Sequence, residues 1–332
     1  MEIPVALFMF KRMDTLLQII ERIRYAKPSK VYLISDQGRN DEEKKQVEAV
    51  RRTVENAIDW ECAIVKDYAE ENRGVYENIG LGALRVFERE ERAIFLEDDN
   101  LPEVSFFRYC EEMLSLYEED DNVLWVCGTN YYTDINGNKS GDNYYFTQHL
   151  LPCGWASWGR KFTKYYDKNL LLLDDSNAML DFKNSYESAA LYKQQLRDIL
   201  DERERKKSGK RYISWDYHML LSLRAQKLFG IVPARNQITN IGDDINSIHG
   251  GTDMSKEMTS RFCQVRSKQF DFPICKKDCE KNERIERELE KIILYPRSLR
   301  IRIAVVRKVK EILKVPFDRS LRDVFSFHKA GR

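Results

Sequence analysis

The chain has 332 residues, of which 42% are hydrophobic, and its 55 Lys and Arg nearly balance its 54 Asp and Glu. This length and apolar content predict one large domain, alone or with appendages, and a net charge of +1 argues against general nucleic-acid binding. The sequence shows neither an apolar run of ~20 residues nor a signal-peptide pattern, which predicts a soluble or peripheral protein.

The charges of the chain are unevenly distributed. Residues 293–332 contain eleven Lys and Arg but three Asp and Glu, so this tail is basic and the remainder has a net charge of −7. Such a tail indicates an anionic partner at the C-terminal end. The seven cysteines are odd in number and scattered, which is typical of reduced thiols in a cytoplasmic protein.

Apolar runs alternate with amphipathic segments through the first 128 residues. Because strands that alternate with helices form right-handed βαβ units, the pattern predicts an α/β fold with a mostly parallel sheet and helices on both of its faces. The predicted strands are residues 3–10, 31–35, 62–65, 93–96 and 123–127, and the predicted helices are residues 14–24 (capped by Asp14), 41–57, 76–89 and 104–117.

The pattern changes after Gly128. Residues 131–151 are rich in Tyr, Asn and Gly, as in loops and hairpins, and residues 153–159 form a cluster of small residues and tryptophan. Further helices are predicted at residues 186–207 and from residue 213 onward, and a short strand at residues 229–233.

The tail begins with a charged helix at residues 280–292 and continues as a basic amphipathic segment between Pro296 and Pro316. One interpretation is a helix that binds an anionic membrane surface, with Phe325 and Phe327 beyond it adding insertion. The other is a helix that packs its apolar stripe against the body. The stripe consists of Leu299, Ile303, Val306, Val309 and Leu313.

Three carboxylates follow the fourth predicted strand without interruption. Glu97, Asp98 and Asp99, the acidic triplet, lie at the carboxyl end of that strand, where open α/β sheets bind their ligands. Adjacent carboxylates repel one another and offer hard oxygen ligands, so the triplet indicates Mg²⁺ or Mn²⁺, with Asp99 as the ligand. The alternative is a solvated turn in which Asp99 or Asn100 caps the next helix.

Two further polar clusters follow earlier strands, namely Lys11 with Arg12 and Asp36 with Gln37. All three clusters should meet at one edge of a parallel sheet, where they suit a nucleoside diphosphate. Arg12 would bind phosphate oxygens and Asp36 would accept hydrogen bonds from the base or ribose, while the metal would bridge the phosphates. The sequence contains neither G-x-G-x-x-G nor a P-loop motif.

With these landmarks in order, residues 3–250 resemble GT-A-fold glycosyltransferases, in particular the N-acetylglucosaminyltransferase I type and bacterial family 2-like nucleotide-sugar transferases. The resemblance implies a GT-A catalytic domain at residues 1–255, with a nucleotide-sugar-binding half (1–128) and an acceptor-binding half (129–255), and a helical basic extension at residues 256–332. The landmarks are Pro4-Val5, Phe10-Lys11-Arg12, Ser35-Asp36-Gln37, Glu97-Asp98-Asp99, Phe106-Phe107, Trp125, Gly154-Trp155, Trp215-Asp216 and the stretch from Ser247 to Gly250.

The resemblance also implies roles for single residues. The DXD-type acidic motif binds Mn²⁺ or Mg²⁺ chiefly through its last acid, Asp99, and a late histidine near the metal matches His249. The acid after a tryptophan is the base of inverting members, here Asp216, although Tyr217 stands where the acetylglucosaminyl enzymes carry a second aspartate. The implied contacts to the nucleotide sugar are Phe10, Lys11, Arg12, Asp36, Gln37, Asn72, Arg73, Gly74, Glu97 and Asp98, and those to the sugar or acceptor are Gly154, Trp155, Trp158 and Trp215.

Several of these assignments have alternatives. Trp155 and Trp158 could be core aromatics, and Asp216 could be the N-cap of the helix that follows it. The resemblance implies an inverting, metal-dependent transfer of a sugar, from a UDP-sugar by preference, to a glycan or lipid-linked acceptor in surface polysaccharide synthesis. The basic tail would then hold the enzyme at the inner face of the plasma membrane. A sugar nucleotidyltransferase and a non-catalytic nucleotide-sugar-binding module are the alternative functions.

Overall fold

The computed structural model describes residues 1–132, 142–242, 262–263 and 265–315. The strands are β1 (Val5–Met9), β2 (Lys30–Ser35), β3 (Ala63–Tyr68), β4 (Arg92–Glu97), β5 (Asn100–Pro102), β6 (Val123–Cys127), β7 (Tyr144–Thr147), β8 (Trp155–Trp158), β9 (Phe229–Pro233) and β10 (Ile238–Asn240). Eight of them form one sheet in the order β3-β2-β1-β4-β8-β6-β9-β7, and four of its seven pairings in the described residues are parallel. The predicted α/β class with a mostly parallel central sheet is confirmed.

The parallel half of the sheet is the part that the sequence predicted. Strands β3, β2, β1 and β4 are neighbours in that order, and β1 is buried at all five residues because helices cover both faces of the sheet. The covering helices are α1 (Met13–Ala26), α2 (Asp41–Ala57), a π-helical turn (Tyr76–Gly80) that leads into α3 (Leu81–Phe87), and α4 (Val104–Leu116).

Two predicted helix caps are wrong. Asp14 lies inside the first turn of α1, whose N-cap is Arg12. Neither Asp99 nor Asn100 caps α4, because β5 intervenes and Glu103 occupies the N-cap position. The acidic triplet is therefore not a capping turn.

Strand β8 joins the two halves of the sheet. It lies between β4 and β6 and runs antiparallel to both, while β9 is parallel to β6 and β7 forms the antiparallel edge. The tryptophan cluster of residues 153–159 is thus a central strand of the core. The helices of this half are α5 (Gly159–Tyr165), α6 (Ser176–Asn184), α7 (Ala189–Lys207) and α8 (Asp216–Ala225).

The C-terminal segment packs against the body for much of its length. Phe270 is buried against Tyr109 of α4, with ring centroids 4.8 Å apart, and Ile285 and Leu289 of α9 (Glu283–Ile293) are buried as well. The predicted boundary at residue 255 lies outside the described residues, and the division of the chain there stays a prediction. Helix α10 (Arg297–Ile312) differs, since none of its residues is buried. Within the described residues, no helix has both the length and the hydropathy that crossing a bilayer requires.

Candidate functional site

The four parallel strands bring the predicted polar clusters to one edge of the sheet. In the register of the sheet, Phe8 pairs with Glu97 and Met9 pairs with Ser35, so the segments after β1, β2 and β4 begin side by side. The loop of residues 72–74 follows β3, which runs parallel to β2. We call this side of the sheet the carboxyl edge.

Arg12 lies against the last two acids of the triplet. Its Nη1 donates to Asp98 Oδ1 at 3.0 Å and to Asp99 Oδ2 at 2.9 Å, and the Phe10 N–H donates to Asp98 Oδ2 at 3.3 Å. A single guanidinium nitrogen thus bridges two carboxylates. Arg12 compensates part of the charge of the acids in this state, and its contacts with both carboxylates would compete with a phosphate.

Asn100 organises the triplet, although the sequence did not identify it as a site residue. Its Nδ2 donates to Asp99 Oδ1 at 2.6 Å, while its Oδ1 accepts from the Gly154 N–H at 2.8 Å and from the Glu97 N–H at 3.4 Å. The side chain therefore connects the acids to the start of β8. An amide directly after three acids is the signal that could have identified it.

Electrostatic repulsion is concentrated at Glu97. Burial raises the pKa of Glu97 well above its usual value, and the charges of Asp99, Asp98 and Asp216 raise it further, against a smaller opposing effect of Arg12. The pKa of Asp98 is also raised, first by burial and then by Asp99. Arg12 offsets only part of these effects, and the charge of Asp216 makes the smallest of the three acidic contributions to the pKa of Glu97.

Asp216 is the first residue of α8 and is half-buried. The hydroxyl of Ser214 donates to Asp216 Oδ1 and accepts from the Tyr217 N–H at 3.2 Å. The N-cap of α8 is Trp215 and Asp216 is the first helical residue, so the interpretation of Asp216 as the N-cap is wrong. Its charge contributes to the raised pKa of Glu97, after burial and the charges of Asp99 and Asp98.

The carboxylate of Asp36 is fully used by protein donors. Oδ1 accepts from the N–H groups of Gln37 and Arg73, both at 2.8 Å, and Oδ2 accepts from Asn72 Nδ2 at 3.0 Å and from the Gly74 N–H at 2.9 Å. Gly74 has a φ of +79°, which favours glycine. Asp36 therefore holds the 72–74 loop at the carboxyl edge, and a direct hydrogen bond to a nucleotide would have to compete with these four.

Replacing Asp36 with asparagine should lower the free energy of unfolding by about 2–3 kcal/mol, because the new amide would face the donors of Asn72 or Gly74. Urea denaturation at neutral pH measures this loss. The matched control is Asp174→Asn, since Asp174 is exposed and pairs with Arg203 at the surface, where an ion pair contributes less than about 1 kcal/mol. Equal stability of the two variants would contradict the assigned role of Asp36.

Three other predicted contacts are engaged within the protein. Both terminal nitrogens of Arg73 donate to Asp67 Oδ1, at 3.1 and 3.0 Å. Lys11 Nζ donates to Glu43 Oε1 at 2.9 Å, and hydrogen bonds from Arg39 and then from Lys11 hold the pKa of Glu43 below its usual value. Gln37 is buried. These side chains stabilise the structure of the carboxyl edge through contacts within the protein. Their contact with a nucleotide stays a prediction.

The tryptophans predicted as sugar contacts belong to the core. Trp155 stacks on Phe95 at a centroid distance of 4.0 Å, and Trp215 packs 5.7 Å from Trp155. Trp158 pairs with Arg92 at the start of β4, so it lies at the opposite edge of the sheet. All three indoles are buried and cannot form a platform for a sugar ring. The alternative interpretation as core aromatics is correct.

A second segment approaches the triplet after β10. The Ile241 N–H donates to the Asp99 carbonyl at 2.9 Å, and a Cβ added to Gly242 would lie 2.4 Å from Asp99 Oδ2. Only glycine fits beside this carboxylate. His249, the predicted second metal ligand, lies outside the described residues.

In the part of the chain that the structure describes, no three His, Cys, Asp or Glu side chains are arranged as a metal-binding group. The donor chemistry nevertheless fits a hard divalent ion, because Asp98 and Asp99 already share one cationic group, Arg12 Nη1. No donor among the described residues reaches the carboxylate of Glu97, which leaves its oxygens available.

No protein-family model and no curated protein sequence matches the chain. Similar solved structures include the mannosyltransferase PcManGT from Pyrobaculum calidifontis in complex with GDP-Man and Mn²⁺, at 13% identity and a TM-score of 0.34, over 68% of this chain and 69% of that one. They also include S. aureus TarS 1-349, at 10% identity and a TM-score of 0.36, over 72% of this chain and 60% of that one. An apo UDP-glucose pyrophosphorylase matches at 9% identity and a TM-score of 0.36, over 72% of this chain and 93% of that one.

A mannosyltransferase in complex with GDP-Man is thus among the similar structures. The chain spans less than two thirds of the TarS fragment. At these identities and TM-scores, no substrate, metal or reaction is transferred from these structures to the chain.

Proposed function

We propose that the chain is a glycosyltransferase of the hexosyltransferase class that moves a sugar from a nucleotide-diphosphate sugar to an acceptor hydroxyl. The observation that carries the proposal is the pairing of an arginine with an acidic triplet at the carboxyl edge of the sheet. Arg12 bonds two of the acids, and the charge of Asp216 acts on Glu97. Transfer of a sugar from a diphosphate needs groups that stabilise the leaving diphosphate and a carboxylate that can take up a proton. Arg12 with the triplet would serve the first need, and Asp216 the second.

Asp216 is proposed as the general base of an inverting reaction. It accepts the proton of the acceptor hydroxyl while that oxygen forms a bond to the anomeric carbon. The bond between the anomeric carbon and the diphosphate oxygen breaks at the same time, and the diphosphate leaves with the electron pair. Ser214 donates to Oδ1 of Asp216, which leaves the other oxygen available for the proton.

Asp99, assisted by Glu97 or Asp98, is proposed to hold Mn²⁺ or Mg²⁺. The ion would supply positive charge that stabilises the departing diphosphate. Arg12 is then proposed to turn from Asp99 toward a phosphate oxygen, because a second cation beside the same carboxylate would be repelled. The 72–74 loop, fixed by Asp36, would form the wall of the nucleotide site.

The preferred donor is a UDP-sugar, and the acceptor is proposed to be a glycan or lipid-linked hydroxyl in surface polysaccharide synthesis. The enzyme would then work as a peripheral protein at the inner face of the plasma membrane. The basic charge of α10 and of the residues after it supports this location.

The test is a panel of UDP-, GDP-, CMP- and dTDP-sugars, each measured by thermal shift with and without Mn²⁺. We expect one base to raise the melting temperature in a metal-dependent manner. Asp99→Ala should weaken this donor binding by about tenfold or more. The matched control is Asp59→Ala, because Asp59 is exposed, precedes β3 and lies away from the carboxyl edge.

Two outcomes would contradict the proposal. A panel in which no nucleotide sugar raises the melting temperature would favour a non-catalytic module or an unrelated ligand. Release of pyrophosphate from a nucleoside triphosphate and a sugar 1-phosphate, without transfer from any nucleotide sugar, would establish a nucleotidyltransferase instead.

A further inference from the structure

Helix α10 exposes apolar side chains to an unusual extent. Ile301 is 55% exposed, Val305 is 56% exposed and Ile312 is 70% exposed. Positions separated by four and by eleven residues lie on the same side of an α-helix, so these three side chains form a stripe on one face, with Lys308 between Val305 and Ile312. This exposed stripe differs from the one that the sequence pattern suggested.

The opposite face of α10 contacts the body. Leu299 and Ile303, members of the stripe identified from the sequence, are half-buried. Arg307 donates twice to the Asp201 carboxylate of α7, at 2.5 and 2.9 Å, and the Tyr295 N–H before the helix donates to Gln194 Oε1 at 2.8 Å. These contacts fix the rotation of the helix, so the face with Ile301, Val305 and Ile312 points away from the body.

Basic residues accompany the exposed stripe. Arg297 and Lys308 lie four residues before and seven residues after Ile301, which places both on the same face, and Arg302 lies next to it. Residues 297–315 contain seven Lys and Arg and one Glu, for a net charge of +6. An apolar stripe set among cations is typical of helices that lie in the interface of an anionic membrane.

Charge complementarity distinguishes the possible occupants of this face. A second copy docked through the same helix would bring two such cationic surfaces together. The segment 316–332 has four Lys and Arg against two Asp, so its net charge also repels the helix. An anionic lipid surface offers both negative headgroups and an apolar layer, and it matches the face in both respects.

We propose that the face of α10 formed by Ile301, Val305 and Ile312, with Arg297 and Lys308, binds the anionic surface of a membrane. The inference rests on the proposed function, because an enzyme whose acceptor is held at a membrane has to bind that membrane itself. Vesicle binding, however, needs neither a nucleotide sugar nor turnover. Failure of one proposal is therefore distinguishable from failure of the other.

The experiment is co-sedimentation of the full chain with vesicles of phosphatidylcholine alone or with about one third phosphatidylglycerol. We expect binding to the anionic vesicles only, and weaker binding at high salt. The double substitution Ile301→Glu and Ile312→Glu should weaken binding by about tenfold or more, because it removes apolar contact and adds negative charge. The matched control is Leu171→Glu, since Leu171 is 67% exposed outside α10.

Circular dichroism and light scattering complete the test. The double variant should retain its fold, because both substituted side chains are already exposed. Wild-type protein that does not bind anionic vesicles, or a double variant that binds as wild type does, would overturn the proposal. A dimer that dissociates in the double variant would overturn it too, by assigning the face to a second copy of the chain.

Discussion

Replacing Asp216 with asparagine should lower kcat for sugar transfer by about 10²–10⁴-fold while leaving the binding of the donor nearly unchanged. Asparagine retains an oxygen that can accept from Ser214, so the start of α8 should keep its geometry. It cannot take a proton from an acceptor hydroxyl at neutral pH, and the reaction would lose its proposed base. Steady-state kinetics with saturating donor, together with a donor-dependent thermal shift, separate these effects.

The control for this prediction is Asp121→Asn. Asp121 is exposed, pairs with Arg160 and precedes β6, so its substitution should leave kcat within about twofold. A decrease of less than about tenfold for Asp216→Asn would assign the base to another group. A variant that also loses donor binding would place Asp216 in the nucleotide site instead.

The parallel half of the sheet could be predicted from the sequence because each of its strands and helices is defined by a pattern within one short segment. The run from Val5 to Met9 has no polar residue, and α2 begins and ends at the predicted residues because Asn40 caps it and its apolar positions recur at helical spacing. Parallel strands then place the segments that follow them at one edge. The positions of Arg12, Asp36 and the acidic triplet followed from that rule alone.

Strand β8 could not be predicted in the same way. Its place between β4 and β6 depends on pairing with residues about 30 and 60 positions earlier in the chain, and a four-residue segment contains no period that shows this. The sequence of Trp155 to Trp158 therefore suggested ligand contacts, although its aromatic rings fill the core. The hydrogen-bond partners of Arg12 and Asp36 also come from distant parts of the chain. The sequence pattern could not predict them for the same reason.

Helix α8 connects the candidate site with a buried ionic network. Asp216 stands at its first turn, and Arg224, near its end, is fully buried. Arg224 Nη2 donates to His149 Nδ1 at 2.7 Å, and His149 Nε2 lies 3.2 Å from the Glu286 carbonyl oxygen and 3.5 Å from Glu286 Oε2. The network therefore joins α8 to β7 and α9. It should fix the position of the helix that carries the proposed base.

The protonation of His149 follows from these contacts. Nδ1 accepts from Arg224, so the ring proton lies on Nε2 and the imidazole is neutral. Burial, and then the charge of Arg224, hold the pKa of His149 well below its usual 6.5. As the pH falls below 6.5, the unfolded chain takes up a proton that the folded state does not bind, and this residue's contribution to stability falls by about 1.4 kcal/mol per pH unit.

Arg224→Met should lower the free energy of unfolding by about 3–5 kcal/mol, because it removes a buried positive charge that acts on Glu286 and leaves His149 Nδ1 without a donor. Urea denaturation at neutral pH measures the loss, and Arg160→Met at the surface is the control, with an expected change below about 1 kcal/mol.

Adding Glu286→Gln to Arg224→Met should recover part of the loss, because no buried charge then remains uncompensated. The contribution of His149 to the loss of stability on acidification should also become smaller in Arg224→Met, since the charge of Arg224, one of the causes of its low pKa, is gone. A loss below about 1 kcal/mol in Arg224→Met, or additive effects of the two substitutions, would show that α8 is held by apolar packing rather than by this network.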